Sequence, residues 1–340
     1  MTSILRTEIF EQGDALARFL DAESANVARI AKKIRASNIE SITIAARGTS
    51  DNAGMYGKYV FAAFNHLPVA LATPSLYTVY QTPPQLKNTL VIGISQSGES
   101  PDILAVLQEA KKQNTPTLAI TNSEGSPLAQ VADDVILQHA GVEKTVGATK
   151  TYTTQLGALA LLSVSLANDA ARRHELDAVP DAVRQALQAD ASAAPIAARW
   201  RNTNAALVIG RGYNYATAFE IALKLKELTY VLAEPFSSAD FMHGPIAVVQ
   251  DQFPVIVIAP QGQVSQDLFA LARDLRERGA DVATIADDPS ASLILPTTLP
   301  EWLSPIPAVV PGQLLAMHLT IAKGFDPDHP RGLKKVTRTL

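Results

Sequence analysis

The sequence predicts an α/β protein of two tandem domains, each a mostly parallel sheet flanked by helices on both faces. Three observations carry that reading. Short apolar runs rich in β-branched residues alternate with longer stretches of helical spacing, the pattern of parallel strands buried on both faces. Several of these runs break off into a polar or glycine-bearing turn that opens a helix. The order of runs and turns in the first half also recurs in the second, although few identities are shared. With 340 residues, 47% of them hydrophobic and 18% charged, the chain can fill two ordinary cores. The expected ranges are 1–180 for the first domain, with an N-terminal lead-in, and 181–340 for the second.

Residues 2–12 are mixed in character and read as an irregular lead-in. Leu16, Phe19, Leu20, Val27, Ile30 and Ile34 have helical spacing and predict a helix over 15–36. The run 41–46 is the first strong strand. It passes into Arg47-Gly48-Thr49-Ser50-Asp51-Asn52 and a helix over 53–64. Further strands are expected over 69–72, 90–94, 117–121 and 134–137. In the second half, 205–209 runs into Gly210-Arg211-Gly212-Tyr213-Asn214, and 254–259 runs into Pro260-Gln261-Gly262-Gln263. The run 281–286 then echoes 117–121. Between the halves, the Ala/Gln/Asp-rich stretch 177–201 reads as a mostly helical connector.

The stretch 90–100, LVIGISQSGES, is the most informative. A buried-strand pattern turns into Ser95-Gln96-Ser97-Gly98-Glu99-Ser100, and Pro101 then stands near the start of a helical pattern. Free backbone N–H groups, the positive helix end and short hydroxyls suit an anion, and a phosphate best. An ordinary capped turn uses the same residue types, so both readings stand at this point. Only the first half keeps hydroxyl-rich turns, which predicts one phosphate site per chain, in the first domain.

Composition excludes several classes. The net charge is −4 with a pI near 5.9 and no Lys/Arg block, which argues against nucleic acid. There is no cysteine, so disulfides, thiolate metal sites and a cysteine nucleophile are all ruled out within these residues. The six histidines are scattered without ligand spacing, and neither a metal nor a cofactor is expected. No run reads as a membrane span or a signal-peptide core, so no membrane partner and a cytoplasmic location are expected. Gly210-Arg211-Gly212 is a partial dinucleotide fingerprint whose third glycine would fall at Tyr215, which is weak evidence.

A helix is expected over 216–232. On it Glu220, Lys224 and Glu227 stand at i, i+4 and i+7 and share a face. A surface Glu–Lys ladder would look the same, but the helix is otherwise so apolar that the stripe is expected to face a cleft. There Glu227 could serve as a general base. His243 precedes Gly244-Pro245 on an expected loop.

With these residues assembled, the chain resembles tandem SIS (sugar isomerase) domain proteins, and in particular the isomerase half of glucosamine-6-phosphate synthase. The strings that carry the resemblance are Arg47-Gly48-Thr49-Ser50, Ser95–Ser100, Thr149-Lys150 with Thr153-Thr154-Gln155-Leu156, Gly210–Tyr215, Ala222–Glu227, His243-Gly244-Pro245 and the tail Pro330-Arg331 with Leu333 and Lys335. The resemblance implies a cradle for the phosphate and sugar hydroxyls from Ser50, Ser95, Gln96, Ser97 and Ser100, with Thr49 beside it. It implies a backbone lining at Val146, Gly147 and Ala148. Glu227 matches the group that moves a proton between C1 and C2, and Lys224 its charged neighbour. His243 matches a ring-opening histidine that serves the neighbouring subunit, which implies a homodimer. Lys335 matches a tail lysine able to engage the open-chain carbonyl.

The departures point to the expected activity. The synthase's glutaminase nucleophile is a cysteine, and this chain has none and starts almost at the SIS region. Arg47 replaces the cysteine before Gly-Thr-Ser, and the tail is altered around Gly332-Leu333-Lys334-Lys335. The chain therefore resembles SIS-type glucosamine-6-phosphate deaminases, which give fructose 6-phosphate and ammonia. Deaminases, isomerases or deglycases of galactosamine 6-phosphate or fructosamine 6-phosphate type are alternatives, as is a non-catalytic sugar-phosphate sensor.

Overall fold

The computed structural model describes residues 3–296 and 299–335. Ten strands form two five-stranded parallel sheets among these residues. The first contains β1 (Ser41–Ala45), β2 (Val69–Leu71), β3 (Thr89–Ile94), β4 (Thr117–Thr121) and β5 (Asp134–Leu137), in the order β2-β1-β3-β4-β5. The second contains β6 (Ala205–Gly210), β7 (Leu232–Ser237), β8 (Pro254–Ile258), β9 (Asp281–Ala286) and β10 (Leu293–Ile294), in the order β10-β9-β8-β6-β7. Read from its far edge, the second sheet has the same 2-1-3-4-5 order as the first. Both are doubly wound.

The central strands β3, β4 and β8 are buried at every position, as parallel strands covered on both faces must be. In the first sheet, Ala45 and Val91 pack with Ile103, Val106 and Leu107 of the helix Pro101–Lys112 on one face. Ile44 points the other way, toward the helix Thr49–Asn65. There a Cβ on Gly57 would lie 2.9 Å from the Ile44 side chain, so the helix approaches closely only because that residue is glycine. The helix Lys150–Ala167 lies on this side and is buried almost throughout. In the second sheet, the helix Ser265–Glu277 packs Leu268, Leu271 and Leu275 on Leu207, Ile209, Val255 and Val257. The helix Tyr215–Lys224 packs along β6 and against Pro305–Ala322.

The chain groups into two compact units. Of the described residues, the first-sheet unit comprises Asp14–Glu143, Lys150–Asp177 and 334–335. The second-sheet unit comprises 3–13, Lys144–Thr149, 178–296 and 299–333. The expected ranges 1–180 and 181–340 differ from this grouping at 3–13, 144–149 and 178–180, which group with the second sheet, and at 334–335, which group with the first.

Other local expectations are corrected. The lead-in is not irregular: Ile4–Phe10 is a helix, with the Ser3 hydroxyl accepting from the Arg6 N–H at 3.1 Å. The helix expected over 216–232 stops earlier. Tyr215–Lys224 is α-helical, Leu225–Thr229 forms a single π-turn, and Tyr230 takes a left-handed conformation that releases the chain into β7. The expectation of no membrane-length run also needs amendment. Pro305–Ala322 is long and apolar enough by length and composition, and 83% of it is buried within the core of its unit.

Candidate active site

In a doubly wound sheet, ligands bind beyond the carboxyl ends of the strands, where the strand order reverses. In the first sheet that point lies between β1 and β3, which pair with Ala45 opposite Gly93. The two hydroxyl-rich turns of the sequence follow these two strands. Thr49 and Ser50 open the helix after β1, and Ser95–Ser100 follows β3. Strand order thus brings together two turns that lie some 45 residues apart in the chain.

The Ser95–Ser100 turn is built around its hydroxyls. Ser95 is buried, and its Oγ accepts from the Gly98 N–H at 3.1 Å and lies 3.4 Å from Ser100 Oγ. Ser97 Oγ accepts from the Glu99 N–H at 3.3 Å. Gln96 is pinned by its carbonyl, which accepts from the Asn122 N–H at 3.0 Å and Thr121 Oγ1 at 3.3 Å. Gly98 has φ +66°, and a Cβ there would lie 2.2 Å from Ser126 Oγ, so only glycine closes this turn. Ser100 is the N-cap of Pro101–Lys112, yet its side chain makes no capping bond. An ordinary cap would have used that hydroxyl on the helix.

Across the switch point, Ser50 is also buried, and its Oγ accepts from Gln155 Nε2 at 3.1 Å. Thr49 precedes it at the first position of the helix. Arg47 Nε donates to Asp102 Oδ2 at 2.5 Å, tying the β1 turn to the first turn of the helix after β3. Asp51 has its carboxyl pushed above the usual range by burial, partly offset by Arg47 and Lys58. Lys335 belongs to the same unit, with its Nζ 2.7 Å from Glu143 Oε2.

The equivalent point of the second sheet is filled by the protein itself. Glu301 Oε2 accepts from the Gln263 N–H at 2.8 Å, and Asp287 Oδ1 accepts from the Gln261 N–H at 2.7 Å. Two internal carboxylates already occupy the loop's donors.

The second-sheet unit carries the charged stripe. Lys224 is buried, with its Nζ 3.4 Å from Glu220 Oε1 and hydrogen-bonded to Glu227 Oε2. Burial works to lower the lysine's pKa, but the attraction of Glu220 and Glu227 outweighs it and holds the ammonium well above the ordinary lysine range. Of the three side chains, Lys224 is 1% exposed, Glu220 0% and Glu227 23%. Glu227 is therefore the member that reaches the surface. It lies in the π-turn Leu225–Thr229, a distortion frequent at functional sites.

Val146, Gly147 and Ala148 lie beside that turn. A Cβ on Gly147 would meet the Leu228 side chain at 3.5 Å. The buried Glu8 carboxylate holds this loop, accepting from the Thr145 N–H at 3.2 Å, from the Lys144 N–H and from Thr145 Oγ1. His243 is not drawn into the cluster. It caps the short helix Ser238–Met242 at the surface, and its ring makes no hydrogen bond or ion pair among the described residues. Sequence reasoning missed Glu8, Glu143 and Gln155 as supports. Each is a single polar residue whose partner lies far along the chain or in a loop without a motif.

Two of the concavities of the first-sheet unit lie at the ends of its strands. One, of about 870 Å³, is lined by Gln96, Asn122, His139 and Glu143 on the switch-point side. The other, of about 370 Å³, includes Lys33, Lys111, Asp133 and Asp134 and lies at the opposite, amino-terminal edge of the strands. Only the first is at the carboxyl ends of the strands, the side on which such sheets bind ligands, where it lies beyond β3, β4 and β5.

This arrangement defines a class: a doubly wound α/β protein with a hydroxyl-lined turn at its switch point and a buried, lysine-centred carboxylate cluster. The SIS domain model matches residues 35–165 and 201–299, and the chain belongs to the SIS-domain family. It is similar to the glutamine–fructose-6-phosphate aminotransferase (isomerizing) of Pyrococcus horikoshii, 36% identical over 339 residues, covering 96% of this chain. The chain spans about half the length of the curated relatives it matches, 56% in that case. Among solved structures it is similar to the C-terminal domain of glucosamine-fructose-6-phosphate aminotransferase from Francisella tularensis, with 30% identity, 97% and 99% of the two chains covered and a TM-score of 0.88. The glucosamine-6-phosphate deaminase of Thermotoga maritima shares the fold, with 21% identity, 99% and 100% covered and a TM-score of 0.82.

Proposed function

We propose that the chain is an isomerising glucosamine-6-phosphate deaminase, converting glucosamine 6-phosphate and water into fructose 6-phosphate and ammonia. The observation that carries this reading is Glu227, a partly exposed carboxylate held on the buried ammonium of Lys224. A sensor that only bound sugar phosphates would need the serine turns but not this cluster. Ser95, Gln96, Ser97 and Ser100, with Thr49 and Ser50, anchor the phosphate, so that binding energy remote from the reacting carbons orients them. Glu227 takes the C2 proton of the open aldose and returns it to C1, leaving an imine at C2. Water adds there and ammonia departs. Val146 and Ala148 line C1 and C2 with backbone groups. Lys335 engages the carbonyl carbon.

The proposal includes a homodimer in which His243 opens the sugar ring in the partner's site. Its exposed ring, with the exposed Met242 and Val248 nearby in the chain, supports that assignment.

The test is release of ammonia and fructose 6-phosphate from glucosamine 6-phosphate without glutamine, alongside galactosamine 6-phosphate and a fructosamine 6-phosphate. Equal amounts of both products from the first substrate are expected. Turnover of only one of the others would transfer the assignment to it. Binding without turnover of any would make the chain a sensor.

A further inference from the structure

One buried carboxylate has no part in the scheme above. Glu143 lies beyond β5, with its side chain 0% exposed. Thr151, at the start of the helix Lys150–Ala167, donates to it twice, from its N–H at 3.1 Å and its Oγ1 at 2.7 Å. Lys335 Nζ is a charged partner at 2.7 Å, on Oε2, although 192 residues separate the two. A carboxylate withdrawn from water is costly unless a cation and further donors meet it. Glu143 has such partners, and the tail supplies a cation among them. The same carboxylate lines the cavity that Gln96 of the phosphate turn lines.

We infer that Glu143 is the positioning residue of Lys335: it holds the ammonium in place and takes its proton when the amine attacks a carbonyl. This rests on the reading of Lys335 as the group that engages the substrate. An ammonium has no lone pair and cannot add to carbon, so the proton must first move from Nζ to Glu143 Oε2. The freed pair then forms the N–C bond at C2 of the ketose, and the carbonyl oxygen takes a proton from the nitrogen to give a carbinolamine. Glu143 returns its proton to the departing hydroxyl, the C–O bond breaks, and water leaves behind a protonated imine. Water attacking that imine reverses the sequence and frees the lysine. The two bonds from Thr151 keep the carboxyl group aimed through both transfers.

The experiment is to incubate the whole chain with fructose 6-phosphate and cyanoborohydride, which reduces a protonated imine to a stable amine, and to follow the adduct by peptide mass. Wild type should be labelled at Lys335, and Lys335→Met should not be labelled. Glu143→Gln keeps the shape but cannot take the proton, and its amide offers one accepting oxygen where the carboxylate offered two. It should be labelled about 100-fold more slowly, as expected for loss of one acid–base group, with fructose 6-phosphate binding retained in isothermal titration. Labelling of Glu143→Gln at the wild-type rate would overturn the inference and leave the reading of Lys335 intact. Wild type that binds fructose 6-phosphate without labelling at Lys335 would overturn both. If Glu143→Gln does not fold, Glu143→Ala with added formate replaces it. Labelling restored by formate supports the inference, and wild-type labelling without formate overturns it.

Discussion

Replacing Lys224 with methionine removes one charge from the buried cluster at nearly constant shape. Lys224 is 1% exposed and Glu220 0%, with 3.4 Å between their charged atoms, so solvent does little to screen them. At an effective dielectric near 20, that separation corresponds to a gross attraction of roughly 5 kcal/mol. Breaking a buried pair on one side costs about 3–5 kcal/mol, because the remaining charge loses its compensation. Lys224→Met should therefore destabilise the second-sheet unit by about 3–5 kcal/mol at pH 7. Without its cation, Glu220 would have a folded pKa above its unfolded value. That group favours the folded state below the unfolded pKa and loses the contribution as pH rises through the folded one. The deficit relative to wild type should accordingly shrink toward pH 5. Adding Glu220→Gln removes the stranded charge and should recover part of the loss. Urea unfolding followed by tryptophan fluorescence is the assay. Trp200 and Trp302 are the chain's two tryptophans, both lie in this unit, and both are buried. A loss below about 1 kcal/mol, typical of an exposed pair, or no recovery with Glu220→Gln, would refute the reasoning.

Four further outcomes follow from the same geometry. Glu227→Gln should lower kcat by about 10²–10⁴-fold, the span for one acid–base group, while isothermal titration finds sugar-phosphate binding retained. Ser95→Ala removes the acceptor of the Gly98 N–H and, under the proposed function, a donor for the phosphate. A bond to a charged group is worth about 1.5–3 kcal/mol, so Kd should rise roughly 10- to 150-fold. Gly98→Ala forces a side chain into φ +66° and against Ser126, so a stability loss of at least about 1–2 kcal/mol should appear in thermal melts. Asp190 is raised by burial, but bonds from Arg6 and His318 outweigh this and hold its carboxyl below the usual range. Such a group stabilises above its unfolded pKa and loses that contribution as pH falls through the folded one. Acid melts between about pH 5 and 3, just around the carboxylate range, should therefore be steeper for wild type than for Asp190→Asn.

Much of the sheet was legible in the sequence. The strands expected over 117–121, 134–137 and 281–286 are β4, β5 and β9 to the residue, because short apolar runs with β-branched residues leave little else for a buried segment to be. β7 was not legible. Its LAEPFS pairs only with β6, at the sheet edge, where Pro235 is tolerated and the apolar signal is diluted by Glu234. The early end of the helix carrying Lys224 was equally hidden. Tyr230, not a glycine, takes the left-handed position, and no local signal announces a π-turn.

For the site, the sequence by itself determined whatever depends on short spacing. The hydroxyls of 95–100 fall in one turn after a strand, and Glu220, Lys224 and Glu227 share a face at i, i+4 and i+7. Only the tertiary structure decided which turns become neighbours and which buried charges meet. Strand order sets β1 beside β3 and so joins Ser50 to the Ser95–Ser100 turn. Folding also fills the second sheet's switch point with Glu301 and Asp287, and lays the tail's Lys335 on Glu143. Local periodicity carries no information on such pairs. Their partners are selected by the cost of leaving a charge or a backbone donor buried alone, and that cost arises only once the layers have packed.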